Sequence, residues 1–195
     1  MFFKNLTLKK NVVLQVSLVE VHLPVIMGHR DAEEIFVTPL KDQMAAAGMG
    51  TVMDTAVSTT DNEQVCGLTL YLGLTDASRD GLQTIAQMLE YLAAPCGSSI
   101  RLSEGISDPM LFGRAEGLEL SLDRRLTANE KARRDFSQMC RDALANLAVS
   151  RGWAQAQDRT LFYFYGNDLA SMRDTLARVL ENHPKYQSAM LRRMA

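Results

Sequence analysis

The chain has 195 residues, 47% hydrophobic and 23% charged, the balance of an ordinary globular protein and not of a disordered or fibrous one. That length suits one large domain or two small ones, and folding would bury roughly 70% of the extended-chain surface. Its 21 basic and 23 acidic residues give a net charge of −2, so no overall positive surplus exists with which to hold a nucleic-acid backbone.

The first ten residues, MFFKNLTLKK, lack the basic, apolar, small-residue order of a secretory signal. Later apolar stretches are interrupted by Gln15, Ser17, Glu20 and His22, far short of the roughly 20 residues a membrane span needs. The expectation is a cytoplasmic protein with no membrane partner. From Asn11 to Ile26 the apolar residues fall at 14, 16 and 18, then change phase to 19, 21, 23 and 25, predicting a strand that is bulged or buried on both faces near its middle. Gly28, His29 and Arg30 break it.

Asp31 to Ala47 has helical character but contains Pro39. Placing Thr38 at the N-cap and Pro39 at the first helical position removes the conflict, with Leu40 and Met44 facing inward and Gly48 as the stop. Asp31 to Val37 is then a lead-in. Gly48 to Gly50 reads as a turn, Thr51 to Thr59 as an edge strand, and Thr59 to Glu63 as a hairpin turn. Leu68, Leu70, Leu72 and Leu74 alternate with Thr69, Tyr71 and Gly73 as in a strand. Asp76 to Asp80 then open a helix carrying Leu82, Ile85, Met88, Leu89 and Leu92, stopped by Pro95, and Ser98 to Leu102 forms a short strand.

Ser103 to Arg114 has the most linker-like composition in the chain, which places a boundary between a first unit, 1–104, and a second, 105–195. Leu118, Leu120 and Leu122 alternate with Glu119, Ser121 and Asp123, predicting a half-exposed strand. Thr127-Ala-Asn-Glu130 has the form of a capping box. Behind it Phe136, Met139, Cys140, Ala143, Leu144 and Leu147 mark one face of a helix, ended by Gly152. Trp153 to Gln157 is a weak strand and Thr160 to Tyr165 a strong one. Asp168 then leads into Leu169, Met172, Leu176, Val179 and Leu180, stopped by Pro184, with a last strand at Ser188 to Arg192.

Residues 68–94 and 161–183 thus repeat one strand-to-helix pattern. Each half reads strand, helix, strand, strand, helix, strand. The expected class is α+β: two tandem ferredoxin-like βαββαβ units, antiparallel sheets with helices on one face, packed as one body. A single continuous α+β domain with one large sheet is the alternative.

Catalytic chemistry is thinly represented. Cys66, Cys96 and Cys140 show no CxxC spacing, so reduced, packed thiols are expected. His22 and His29 would need to converge with Asp31 or Glu33 to bind metal, and nothing in the spacing enforces that. Ala94 to Ser99 is a tight loop with a thiol and two hydroxyls but no nucleophile elbow around it. Gly48-Met-Gly50 follows a helix and so cannot cradle phosphate at a helix N-terminus. No catalytic, cofactor or metal residue is assigned, and no cofactor is expected.

Two groups remain as candidate partner-binding residues. Arg124, Arg125, Arg133 and Arg134 form a basic cluster at the start of the capped helix, flanked by Asp123, Glu130 and Asp135, which would neutralise it. Tyr163 and Tyr165 alternate with Phe162 and Phe164. They are core if the sheet is covered on both faces and a binding platform if one face stays open.

Ala45 to Met53 (AAAGMGTVM), the Leu68 to Leu74 strand, Asp76, the following helix and Ala94 to Ile100 (APCGSSI) together resemble small bacterial immunity proteins found beside polymorphic toxins. The likeness covers roughly residues 38–102 and consists of structural punctuation. Where those proteins have a glycine-rich turn, this chain has Met53-Asp-Thr-Ala56. The resemblance implies a bacterial protein that binds another protein and carries no catalytic residue. The functional expectation is therefore a non-enzymatic protein-binding module, toxin-neutralising or regulatory, with homo-oligomers left open. CRISPR repeat-processing endoribonucleases also use tandem ferredoxin-like units but carry a glycine-rich loop near the C-terminus, whereas only Gly152 and Gly166 follow residue 117 here. A small-molecule sensor using the junction between units is the third reading.

Overall fold

The computed structural model describes residues 16–27, 32–60, 64–103 and 108–194. The first half forms β1 (Ser17–Leu23), α1 (Thr38–Ala47), β2 (Gly50–Thr59), β3 (Val65–Leu74), α2 (Arg79–Tyr91), β4 (Ser98–Leu102) and β5 (Met110–Phe112). The second forms β6 (Glu116–Asp123), α3 (Glu130–Ala143), β7 (Ala148–Gln155), β8 (Arg159–Gly166), α4 (Leu169–Glu181) and β9 (Met190–Arg193). The sheets run β2-β3-β1-β4-β5 and β7-β8-β6-β9, with antiparallel pairing throughout. Setting β5 aside, both halves place their second, third, first and fourth strands side by side. That is the ferredoxin-like order, written twice.

Alternation decides which face each strand buries. Leu68, Leu70, Leu72 and Leu74 of β3 are buried with Val19, Val21 and Leu23 of β1, beneath Leu40 and Met44 of α1 and Ile85 and Leu89 of α2. In the second unit Leu118, Leu120, Leu122, Phe162 and Phe164 form a separate core with Phe136, Cys140, Met172 and Leu176. Aromatic contacts reinforce it: the Phe136 ring lies 4.9 Å from Phe162 and 4.6 Å from Tyr186.

The fold departs from the sequence expectation in several places. Thr38 is no N-cap, because a π-helical turn, Glu33–Val37, runs straight into α1. There the Thr38 amide donates to the Glu33 carbonyl, five residues back, and the wider turn accommodates Pro39 without breaking the helix. The linker-like stretch contributes β5, which pairs with β4 and extends the first sheet to Phe112. The strand β6 is buried on both faces instead of half-exposed, because the first unit covers its outer side. Asn129, not Thr127, caps α3 by accepting from the Ala132 amide at 2.8 Å, while the buried Thr127 hydroxyl pairs with that of Thr160 at 2.7 Å. Gly152 lies within β7 rather than ending a helix: its φ of 76° serves a bulge between Ser150 and Trp153. The expected turn at 59–63 lies partly outside the described residues, as do Asn11 to Gln15 of the first expected strand. No described helix is long and apolar enough to cross a membrane.

Candidate functional site

Strand register sets matching side chains in a row on the outer face of each sheet, the face turned away from that unit's helices. In the first sheet Glu20 of β1 stands opposite Tyr71 of β3 on one side and Arg101 of β4 on the other. In the second, Glu119 of β6 stands opposite Tyr163 of β8 and Arg192 of β9. Both rows carry the same ion pair: an Arg101 nitrogen lies 2.9 Å from Glu20 Oε1, and an Arg192 nitrogen 3.1 Å from Glu119 Oε2. The edge strands match too. A bulge in β2 sets Asp54 opposite Tyr71, with Met53 as the extra residue, and the bulge in β7 puts Arg151 and Gly152 across from Tyr163.

The two rows have opposite fates. On the second sheet Tyr163 is 0% exposed, Tyr165 2% and Glu119 6%, because this face docks on the first unit. The Tyr165 hydroxyl accepts from the Ile26 amide at 2.8 Å. Arg151 donates to the Leu92 carbonyl at the end of α2, and its guanidinium lies over the Phe36 ring at 4.8 Å. Backbone bonds from Cys96 to the Ala115 carbonyl (2.9 Å) and from Ala115 to the Ala94 carbonyl (3.2 Å) fasten the crossing between units. Burial pushes the Tyr165 phenol up to about 12, and it pushes Tyr163 up as well, assisted by the nearby Glu119 charge. Among the described residues the buried Tyr163 hydroxyl has no hydrogen-bond partner.

Among the described residues, the first sheet's outer face is open. Val16, Leu18, Met53 and Tyr71 remain 50%, 45%, 60% and 37% exposed. They gather around Gly73, where a Cβ would meet Met53 Sδ at 2.9 Å and Val16 Cγ1 at 3.1 Å. Around this apolar patch lie Glu20, Arg101, Asp54 and His22.

The candidate residues are thus not brought together. Tyr163 and Tyr165 lie in the core between the units, where no partner reaches them. The arginines are largely engaged within the second unit. Arg125 holds Asp123 at 2.6 Å, Arg134 pairs with Glu130, and neighbouring Lys131 holds Asp135 at 2.8 Å. Arg133 donates to the Thr127 and Ala128 carbonyls and lies over Trp153 at 4.6 Å. The Arg124 amide donates to the Asp158 carbonyl at 2.9 Å, and its guanidinium makes a long bond, 3.4 Å, to Gln155. With Arg125 and Arg159 it lines an open depression of about 500 Å³ that also contains Asp123 and Asp158. The Arg125 guanidinium brings the Asp123 carboxyl down to about 2.

Other reactive groups are dispersed. Among the described residues no three His, Cys, Asp or Glu side chains gather to hold a metal. His22 meets the Thr69 hydroxyl at 3.5 Å, His183 meets the Val179 carbonyl at 2.8 Å, and His29 lies outside the described residues. In the Pro95 to Ser99 loop the buried Ser98 hydroxyl donates to the Pro95 carbonyl at 2.7 Å, and Cys96 is exposed. A cleft of about 500 Å³ lies between Glu34 and Ile35 of the first unit and the α3–β7 region of the second, including Trp153.

Sequence reasoning missed the open row and its patch, although its signal was present: setting Asp76 on Asp168, the acids that follow the two strands, puts Tyr71 on Tyr163.

No protein family and no curated protein matches the sequence. Solved structures give distant likenesses. A proposed glycine cleavage system transcriptional repressor aligns with 92% of this chain and 97% of its own at 11% identity and a TM-score of 0.33. The first two RRM domains of yeast poly(U) binding protein align over 91% and 99% (9%, 0.28), and the regulatory subunit of aspartate kinase from Thermus flavus over 84% and 94% (13%, 0.29). At such scores none bears on function, and the fold class stands on strand order and pairing.

Proposed function

We propose that this protein works by binding another protein, with the outer face of the first sheet as the working surface. One observation carries the reading. Of two faces built alike, one is buried by protein and the other, among the described residues, is left open with four large apolar side chains clustered on it. Single exposed hydrophobic residues are ordinary, but a contiguous patch marks a site of association. The stretch resembling toxin-neutralising immunity proteins, 38–102, forms the α1 to β4 portion of this same unit, which supports the finer reading of this chain as a toxin-neutralising or regulatory protein. The RNA reading gains no support, since Arg125 and Arg134 are paired with carboxylates of their own unit and Arg133 is held by backbone carbonyls.

Affinity capture from the native host followed by mass spectrometry tests this. The expected result is a specific protein recovered by the native chain and lost with Tyr71→Glu. Recovery of the same proteins by both would sink the reading.

A further inference from the structure

We propose that a second copy of this chain covers the open face of the first sheet, the two copies packing these faces about a two-fold axis that runs parallel to the strands. This rests on the reading of that face as a protein-binding surface and names its resting occupant.

Charge selects the arrangement. Across the sheet the row reads Asp54, Tyr71, Glu20, Arg101, an acid at one end and a base at the other, with Glu20 holding Arg101. A two-fold parallel to the strands reverses the row in the facing copy, so each Asp54 meets the other copy's Arg101 and the patches around Gly73 oppose one another. A two-fold parallel to the row would instead set Asp54 on Asp54 and Arg101 on Arg101. The matching face shows that this row tolerates burial. On it Glu119 is 6% exposed and still paired with Arg192 at the margin, and the bulge, occupied there by Arg151, is the part that grips the neighbouring unit.

Two other ways of joining copies fit less well. Head-to-tail stacking would seat the second unit's equivalent end on the patch, but that end carries Arg124 and Arg125 where the first unit presents Val25, Ile26 and Met27. Pairing along the β2 edge is opposed by the Asp54 carboxylate, which accepts the Thr55 amide at 2.8 Å beside the bulge. The size of the face sets the strength. Four strands about 4.8 Å apart and seven residues rising about 3.4 Å each make roughly 450 Å² in projection, the scale of a weak, reversible dimer.

Sedimentation equilibrium of the full chain from about 5 to 200 µM, the span appropriate to a contact of this size, reads the outcome. The native chain is expected to pass from monomer to dimer. Asp54→Lys and Arg101→Glu are each expected to weaken self-association at least about tenfold. Mixing the two variants is expected to restore it, because the introduced lysine of one then faces the introduced glutamate of the other, and the remaining Arg101 faces the remaining Asp54. Leu18→Glu is expected to abolish the dimer and Val149→Glu, on the second unit, to leave it intact. A native monomer at the highest concentration, or a mixture no tighter than either variant alone, overturns the proposal. A monomer that still loses its captured partner on Tyr71→Glu overturns the dimer alone, while one whose capture is indifferent to Tyr71 overturns the binding surface as well.

Discussion

Two tyrosines two residues apart, both buried against the first unit, answer differently to loss of a hydroxyl. Tyr165 takes the Ile26 amide at 2.8 Å, whereas Tyr163 has no partner for its oxygen among the described residues. Leaving a buried donor unmet costs about 1–3 kcal/mol, while removing an unmet hydroxyl relieves a similar kind of penalty. Tyr165→Phe is therefore expected to lower stability by roughly 1–2 kcal/mol and Tyr163→Phe to leave it unchanged or raise it by about 1 kcal/mol; urea unfolding of both variants measures the contrast. The thiols divide as sharply. Burial pushes Cys140 up to about 12, and Cys66 and Cys96 are exposed, so iodoacetamide at mild alkaline pH is expected to label two sites on the native chain and all three after denaturation, counted by mass spectrometry. At Asp123 the carboxyl lies below its usual 3.8, at about 2, so the charged form is favoured by folding. Its contribution is whole above the unfolded value and fades as pH falls through the folded one. Asp123→Asn should destabilise at neutral pH, and the gap from the native chain should close between about pH 4 and 2; melting temperatures across that range check it.

At the scale of elements, local chemistry explains both what the sequence disclosed and what it concealed. Alternation along β3 and the helical spacing in α2, α3 and α4 were legible because each is half-buried, and burial imposes the period, whereas β8, buried on both faces, shows as an unbroken apolar and aromatic run. The start of α3 was misread because Thr127 and Glu130 fit a capping box, yet the Thr127 hydroxyl is taken by Thr160, thirty-three residues away in sequence, and Asn129 takes over the cap. No local pattern announces a long-range partner. Asn129→Ala is accordingly expected to cost about 1 kcal/mol, the worth of a helix cap, and Thr127→Val a comparable or larger amount through the stranded Thr160 hydroxyl, both read from chemical denaturation. The π-turn at 33–37 was hidden for a related reason. Proline rules of thumb assume an α-helical ladder, and a wider turn satisfies the same chain differently. As for the candidate site, the tyrosines were found and the face was not, since deciding which of two equivalent faces is covered requires knowing how the units dock.

That docking is expected to make the molecule a single thermodynamic body. The second sheet is buried on both sides: its helices cover the Phe162 and Phe164 face, and the first unit covers Tyr163, Tyr165 and Leu161. Stripped of the first unit, the second would expose aromatic area on the order of 150–250 Å² per ring, which a lone four-stranded unit has no other means of hiding. Arg151 lies at the middle of this junction at 5% exposure, joined to the Leu92 carbonyl and stacked on Phe36. Arg151→Ala removes a charged donor and a ring contact at once, a loss of about 2 kcal/mol or more, or roughly 5 °C in melting temperature for a chain of this length. Because both units share the junction, the native chain is expected to unfold in one calorimetric transition and the variant in one transition at lower temperature. Two separated transitions in the native chain, or a variant in which only part of the heat moves, would mean that the units fold independently and that the buried aromatic face is not what binds them.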